Sequence, residues 1–123
     1  MEKNKHPHKN LDGWKKAMDL VEEVYKITLN FPQDERFGII SQLRRAAVSV
    51  PSNIAEGAGR RTDKEFVNFL SIAIGSLSEL DTQIELSFRL KYIAAEDHAS
   101  LIANIDDCKA IIFGLRKKIM QRI

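Results

Sequence analysis

The chain has 123 residues, of which 44% are hydrophobic and 29% are charged, and it contains six glycines and three prolines. This length favours one domain with one core, and the low glycine and proline content argues against a many-turned β fold. The formal net charge of +2 excludes a strongly basic composition, so the distribution of charge matters more than its total. Cys108 is the only cysteine, which excludes an internal disulfide and predicts a reducing, cytoplasmic location.

The first ten residues are polar, and we predict that residues 1–10 form a flexible tail and not a secretory signal. His6 and His8 flank Pro7 in this tail, but neither cysteines nor clustered carboxylates accompany them, so we predict no metal site. The chain has no run of about 18 apolar residues, which predicts no membrane span. Residues 11–123 are expected to form the single folded domain.

The first predicted helix covers residues 11–30. Its apolar residues recur at alternating steps of three and four, which is typical of an amphipathic helix with one side in the core. The stripe consists of Leu11, Trp14, Met18, Val21, Tyr25 and Thr28, and it is broadened by Ala17, Val24, Ile27 and Leu29. The helix is expected to end before Pro32, because a proline disfavours the helical conformation of the residue that precedes it.

The second predicted helix begins near Arg36 and contains a proline. Its apolar stripe consists of Phe37, Ile40, Leu43, Ala47, Val50 and Ile54. Pro51 lies within this stripe, lacks a backbone N–H and clashes with the carbonyl group four residues earlier. Because the apolar spacing continues past Pro51, we predict a kink and not a break. The glycines at 57 and 59 are expected to end the helix.

Two further helices complete the predicted fold. Thr62 and Glu65 have the spacing of a capping box, which predicts the start of the third helix, and this helix is expected to fade at residues 90–92. Gly75 within it costs about 1 kcal/mol relative to alanine; a close helix contact and neutral drift are the two explanations. The fourth helix is expected to open at residues 94–96. Its stripe alternates steps of four and three, as in coiled coils, and consists of Leu101, Ile105, Cys108, Ile112, Leu115 and Ile119. Four helices with short loops predict an all-α, antiparallel up-down-up-down four-helix bundle.

No residue pattern of an active site occurs in the sequence. Carboxylates stand in adjacent pairs such as Glu22-Glu23 and Asp106-Asp107, which point to different sides of a helix and therefore do not form acid–base pairs. The chain lacks the Glu-x-x-His motif of di-metal bundles and a glycine-rich phosphate loop. Cys108 occupies a core position, where a small apolar side chain is expected. We therefore predict no enzymatic activity, no catalytic residue, no cofactor and no small-molecule substrate.

The sequence of residues 42–61 is more distinctive than the formation of an amphipathic helix requires. They contain the run Ser-Val-Pro-Ser-Asn-Ile-Ala-Glu-Gly. The run is accompanied by Glu65, Phe66, Phe69 and Leu70. This segment closely resembles the four-helix-bundle family that is encoded within intervening sequences of bacterial 23S ribosomal RNA, and the resemblance extends from residue 11 to the C-terminus. That family is related to the accessory proteins of diversity-generating retroelements.

The resemblance implies a fold, an assembly and a class of partner. The fold is a four-helix bundle, and similar proteins assemble as ring-like homopentamers. The retroelement relatives bind nucleic acid and a reverse transcriptase through basic surfaces. The family implies no catalytic activity.

The family motif also contains the candidate structural or interface residues. These are Pro51, Ser52, Asn53, Glu56 and Gly57. Ser52 and Asn53 are short polar residues at the predicted kink, and Glu56 lies one turn after Ser52. We hypothesise that Asn53 and Glu56 form a polar network that fixes the second helix against the third helix or against a neighbouring subunit. Direct binding of a ligand by these residues is the alternative.

Positive charge is the remaining functional candidate. The candidate nucleic-acid-binding residues are Arg44, Arg45, Arg60, Arg61, Lys64, Arg116, Lys117, Lys118 and Arg122. In an up-down bundle the second and fourth helices end at the same end of the molecule, so residues 60–64 and 116–122 are expected to lie together. Phosphate binding there would be sensitive to salt and independent of sequence. The alternative is a solvated basic rim that complements the helix dipole.

The resemblance implies an oligomer, with a homopentamer as the expected assembly. The resemblance and the shared basic end together predict that the protein binds RNA or DNA through a basic surface. A protein–protein interaction scaffold without a nucleic-acid role is the alternative function.

Overall fold

Four long runs of residues with helical periodicity form α-helices in the computed structural model, which describes residues 5–123. The helices are α1 (Asp12–Thr28), α2 (Ile39–Ala58), α3 (Asp63–Arg89) and α4 (Ala95–Met120). Short 3-10 helices at Pro7–Asn10 and Gln33–Glu35 precede α1 and α2. Residues 1–4 of the predicted tail lie outside the described residues. No helix within residues 5–123 combines the length and the apolar character that a membrane span requires.

The four helices surround one hydrophobic core. Helices that are consecutive in the chain pack against each other, and α4 packs against α1. Along α3 and α4 the contacts run in opposite directions: Asp63 meets Arg122 at one end, and Glu85 meets His98 at the other. The largest fully buried side chains are Leu20, Val24, Leu43, Val50, Ile54, Leu70, Leu77, Leu80, Ile84, Leu101, Ile105 and Ile112. The predicted all-α four-helix bundle is confirmed.

The start of α3 is capped as its sequence predicts. The hydroxyl oxygen of Thr62 accepts a hydrogen bond of 3.1 Å from the backbone N–H of Glu65, which satisfies one of the free donors in the first turn. The apolar stripe of α4 is also confirmed, because five of its six residues are buried and Leu115 packs against the core from a partly buried position.

The start of α2 differs from the prediction. The helix begins at Ile39 and not near Arg36, because residues 33–35 form a 3-10 turn and Gly38 has the non-helical angles φ −107° and ψ −115°. Phe37 therefore precedes the helix and does not join its apolar stripe. Its side chain is 91% exposed, whereas Ile39 and Ile40 are buried. The prediction that Phe37 belongs to the core was wrong.

Pro51 lies inside α2 without ending it. The helix continues for 20 residues from Ile39 to Ala58, and the Pro51 ring is buried. The predicted continuation of the helix through the proline agrees with the structure, while the kink stays a prediction.

The buried face of α1 is rotated relative to the predicted stripe. Ala17, Leu20 and Val24 are buried, whereas Met18 is 39% and Tyr25 is 41% exposed. The core is thus filled by Leu20, which the predicted stripe omitted, and by Ala17 and Val24, which the prediction placed at its margin. The buried face is therefore centred on different residues from the predicted stripe.

The segment before α1 carries a turn that the apolar pattern does not predict. Pro7–Asn10 forms a 3-10 helix that contacts α1 and α2, and the ring of His8 lies 5.2 Å from the ring of Trp14. Proline suits the first position of a helical turn because its φ angle is fixed and its missing N–H is not needed there. The flexibility predicted for residues 1–10 stays a prediction.

Candidate nucleic-acid interface

The beginnings of α1 and α3 and the ends of α2 and α4 lie at one end of the bundle. The Arg122 guanidinium donates two hydrogen bonds to the Asp63 carboxylate, at 2.8 and 3.2 Å, which joins the end of α4 to the start of α3. A Cβ atom placed on Gly13 would lie 3.3 Å from Cγ1 of Ile112 and 4.0 Å from Cδ1 of Ile54. The start of α1 therefore lies beside the last third of α4 and of α2. We call residues 5–12, 56–65 and 116–123 the basic end.

The basic end concentrates positive charge. It contains nine lysines and arginines and four aspartates and glutamates, a formal charge of nine minus four, or +5, within a chain whose net charge is +2. The rest of the chain is therefore net negative. This asymmetry is the electrostatic pattern expected of a surface that binds phosphate.

Three of the predicted cations at or beside this end are held by partners within the chain. Arg60 donates to Glu56 at 2.7 Å and lies over the Phe69 ring. Arg122 pairs with Asp63, and Arg116 donates to the Ser71 hydroxyl at 2.8 Å. These exposed pairs fix side-chain positions and contribute little to stability.

Four of the predicted cations are exposed and make neither an ion pair nor a side-chain hydrogen bond within residues 5–123. They are Arg61, Lys64, Lys117 and Lys118. Because no carboxylate in the described part of the chain pairs with them, these four groups are available to an external anion.

Arg44 and Arg45 do not join the basic end. Arg44 donates its Nε–H to the hydroxyl of Thr28 at 3.0 Å and lies over the Tyr25 ring, both at the opposite end of α1. Arg60 follows Arg44 by sixteen positions, and α2 spans the first fourteen of them, a length of roughly 21 Å at the rise of an α-helix. The nine predicted residues therefore form two groups and not one surface.

The polar residues of the family motif connect α2 to α3. Asn53 donates to the backbone oxygen of Ser49 at 2.7 Å and to its hydroxyl at 2.9 Å, and the Ser49 hydroxyl shares a 2.8 Å hydrogen bond with that of Ser76. Glu56, which we expected in the same network, pairs with Arg60. Glu56 is exposed in the last turn of α2, and Arg60 follows four residues later, just past the end of the helix, a spacing that favours such a pair.

Gly57 marks the closest approach of α2 to α3. A Cβ atom at this position would stand 2.7 Å from Cβ of Phe69 and 2.9 Å from Cδ1 of Phe66. Gly75 has no such neighbour, since nothing lies within 4 Å of a Cβ placed there. The close helix contact that could explain a glycine in a helix is therefore absent at Gly75 and present at Gly57. In the rest of the motif, Pro51 is buried and Ser52 is exposed.

Two cations that precede α1 were not among the predicted residues. Lys5 and Lys9 belong to the basic end, and Asn10 lines a shallow pocket together with Lys118 of α4. The prediction of a tail over residues 1–10 left these lysines out. The signal that would have placed them was Pro7, which starts the turn leading into α1.

Two features of the described residues concern thiol and metal chemistry. Cys108 is fully buried, and this burial raises the pKa of its thiol to about 11, so the reactive thiolate is scarce at neutral pH. Among residues 5–123, no three histidine, cysteine, aspartate or glutamate side chains lie together as a metal site requires.

Comparisons with known proteins agree with this architecture. The profile of a family described as 23S rRNA-intervening sequence protein matches residues 9–114. The crystal structure of a protein of unknown function from the S23 ribosomal protein family of Bacteroides thetaiotaomicron VPI-5482 is similar to this chain, with a TM-score of 0.77 and 23% identity. The similar region covers 85% of this chain and 98% of that one, and at this identity it shows the shared fold. None of the curated proteins matches the chain.

Proposed function

Since this chain belongs to the 23S rRNA-intervening sequence protein family, we propose that it is a non-enzymatic RNA-binding protein whose basic end contacts the phosphate backbone. The observation that carries this proposal is the convergence of cations from three separate segments on one end of the bundle. The formal charge of +5 at this end stands against a net charge of +2 for the whole chain. RNA is the polyanion that the family description names.

The chemistry of the basic end favours the backbone of a nucleic acid over its bases. Lys64, Lys117 and Lys118 carry compact charges on flexible stems. Residues 56–65 and 116–123 contain no aromatic residue, and the exposed ring of Phe113 lines a pocket with Lys117. Contacts of this kind position a nucleic acid without reading its sequence. Binding is therefore expected to be salt-dependent and largely independent of sequence.

The absence of catalysis is part of the proposal, and two observations support it. The protonated, buried thiol of Cys108 is a poor nucleophile. At the basic end, two of the four carboxylates, those of Glu56 and Asp63, are engaged by arginines.

We also propose that the chain assembles into a homo-oligomer, with a pentamer as the expected size, and that it acts inside the cytoplasm. Exposed apolar side chains near the end of α4 support assembly: Phe113 is 48%, Met120 is 47% and Ile123 is 70% exposed. The same patch supports the second candidate function, a protein–protein interaction scaffold without a nucleic-acid role, since neighbouring exposed apolar groups mark interaction sites.

The test compares two variants of equal charge. The basic-end variant carries three substitutions, Arg61→Gln, Lys117→Gln and Lys118→Gln. The control variant carries three substitutions at exposed positions elsewhere, Lys26→Gln, Arg89→Gln and Lys91→Gln. The affinity for a fluorescently labelled structured RNA is measured by anisotropy at low and at moderate salt, and the mass of the free protein by light scattering.

We expect the basic-end variant to reduce the slope of log K against log salt by about 0.7–0.9 for each phosphate group that it no longer neutralises. The control variant should keep the slope of the unmodified protein. Equal reductions in both variants would show that only net charge matters. An unmodified protein that binds no RNA would leave the scaffold as the better candidate.

A further inference from the structure

A pocket of about 590 Å³ lies beside α2 at the end of the bundle opposite the basic end. Tyr25 of α1, Phe37 before α2, and Arg44, Arg45 and Val48 of α2 line its walls. A volume of about 300–1,000 Å³ is typical of sites for small organic groups. The lining combines aromatic rings with guanidinium groups, and neither the RNA-backbone proposal nor the family motif accounts for it.

Arg44 is held in one orientation by its surroundings. Its Nε–H donates to Thr28 Oγ1 at 3.0 Å, and its guanidinium carbon lies 4.5 Å from the centre of the Tyr25 ring. Thr28 is itself fixed, since its hydroxyl bonds the backbone oxygen of Val24 at 2.9 Å or that of Tyr25 at 3.1 Å. The two terminal amino groups of Arg44 have no hydrogen-bond partner within residues 5–123. The side chain is therefore arranged in advance to receive an anion.

Phe37 presents a flat apolar surface to the solvent. Its side chain is 91% exposed, although α2 begins only two residues later. The Arg36 guanidinium carbon lies 5.5 Å from the centre of the ring, and both residues line the pocket. A large ring with this exposure gains free energy when a second flat surface covers it.

The charge of the pocket is of one sign. Arg36, Arg44 and Arg45 all contribute to the lining, and no aspartate or glutamate of the described residues does. None of the three arginines forms an ion pair within residues 5–123. A ligand that satisfies both features carries negative charge and a flat ring on the same molecule.

We infer that this pocket binds an unpaired nucleotide of a single strand, whose base stacks on Phe37 and whose phosphates contact Arg44 and Arg45. Aromatic side chains bind unpaired bases by stacking, and basic residues beside them hold the backbone. The inference rests on the proposed nucleic-acid binding but uses a second site. It adds that the protein prefers unpaired bases, which the basic end alone does not provide.

A second copy of this chain and an acidic peptide are the other occupants of such a surface. A second copy would supply carboxylates from the net-negative remainder of the chain, and light scattering identifies this case. An acidic peptide lacks the flat ring that matches Phe37. Each of these occupants gives a different experimental result.

The test uses the full chain and three short labelled strands of equal length. One is single-stranded RNA, one is DNA of the same sequence, and one is an abasic strand with the same phosphates and no bases. Affinities are measured by fluorescence anisotropy for the unmodified protein, for Phe37→Ala and for Leu86→Ala. Leu86 is an exposed apolar residue on α3, 46% accessible, and serves as the control. The mass of each variant is measured by light scattering.

We expect the unmodified protein to bind the base-bearing strands more tightly than the abasic strand. Phe37→Ala should weaken binding of RNA or DNA about 5- to 100-fold, the effect of one stacked base, and change abasic binding less than about twofold. The ratio of RNA to DNA affinity identifies the preferred sugar. Arg45→Gln should weaken the binding of all three strands. It should also reduce the slope of the logarithm of the binding constant against the logarithm of salt concentration by about 0.7, as expected for one phosphate of a single strand.

Two outcomes overturn the inference while the proposed function stands. Either the protein binds base-bearing and abasic strands equally well, or Phe37→Ala weakens all strands equally and also lowers the mass of an oligomer. The second result would identify the surface as a contact between copies. A protein that binds none of the strands at low salt would contradict the proposed function itself.

Discussion

The two flanks of α2 differ in the size of their side chains, which are small on the flank that faces α3 and large on the flank beside α1. On the flank that faces α3, Gly57 leaves no room for a Cβ atom beside Phe69, and Ser49 and Ser76 share a hydrogen bond across the seam. The flank beside α1 carries Arg44 and Val48, with Val48 39% exposed and a pocket of about 590 Å³ along its surface. A smaller, polar pocket of about 400 Å³ lies beside Ser49 and Glu79, between α2 and α3. We call the flank that faces α3 the closed flank, and the flank beside α1, with Phe37 just before it, the open flank.

This difference separates the structural residues of α2 from those available for binding. Small side chains let two helices approach closely, and the short polar groups then satisfy each other inside the contact. Large cationic side chains on the other flank stay accessible. The family motif, residues 49–57, therefore acts mainly through the α2–α3 contact, while the cations proposed to bind a ligand lie at positions that the motif does not include.

The largest expected effect comes from adding one carbon to the closed flank. Gly57→Ala places a Cβ atom 2.7 Å from Cβ of Phe69, which forces the two helix backbones apart. Overpacking of this kind costs about 1–3 kcal/mol, and the higher helix propensity of alanine offsets only part of it. We expect a lower midpoint of unfolding in urea.

Gly75→Ala is the matched control for Gly57→Ala. Nothing lies within 4 Å of a Cβ atom at this position of α3, so the same change is expected to raise the free energy of unfolding by about 0.5–1 kcal/mol. If both variants were stabilised, the contact between α2 and α3 would be looser than the structure shows, and the distinction between the two flanks would fail.

Sequence periodicity predicted the parts of the fold that depend on regular burial. The stripe of α4 and the cap at Thr62 follow from spacing alone, and both agree with the structure. The position of Phe37 does not follow from spacing, because the break at Gly38 depends on a backbone conformation that an apolar pattern does not encode. The apolar pattern also does not distinguish Gly57 from Gly75. Both are glycines within a helix, and they differ in the neighbouring side chains that pack against them.

The candidate site was predictable in outline. The order of four helices was enough to bring residues 60–64 and 116–122 to one end, and the Arg122–Asp63 pair shows them together. Which cations stay free was not predictable, since Arg60 and Arg61 are adjacent in sequence and, of the two, Arg60 is the one that is paired. Arg44 and Arg45 were named as candidates without being placed at that end, and the structure places Arg44 beside the opposite end of α1.

A smaller effect is expected from the polar contact within the closed flank. Asn53→Ala removes the side-chain donor that joins Asn53 to Ser49, and the loss of such a hydrogen bond costs about 0.5–1.5 kcal/mol. Ser52→Ala, at an exposed neighbouring position, should change stability by less than about 0.5 kcal/mol. Thermal unfolding of both variants measures the difference. An Asn53→Ala protein with unchanged stability and assembly would contradict the structural role proposed for this residue.

The smallest effect on stability is expected on the open flank. Phe37→Ala removes a ring that is 91% exposed, so the free energy of unfolding should change by less than about 0.5 kcal/mol. A ligand that binds only the folded protein stabilises it in proportion to the logarithm of its concentration over Kd. A single-stranded oligonucleotide should therefore raise the melting temperature of the unmodified protein more than that of Phe37→Ala. A variant that is unstable without any ligand would place Phe37 in the core, and the two flanks of α2 would then differ in packing but not in accessibility.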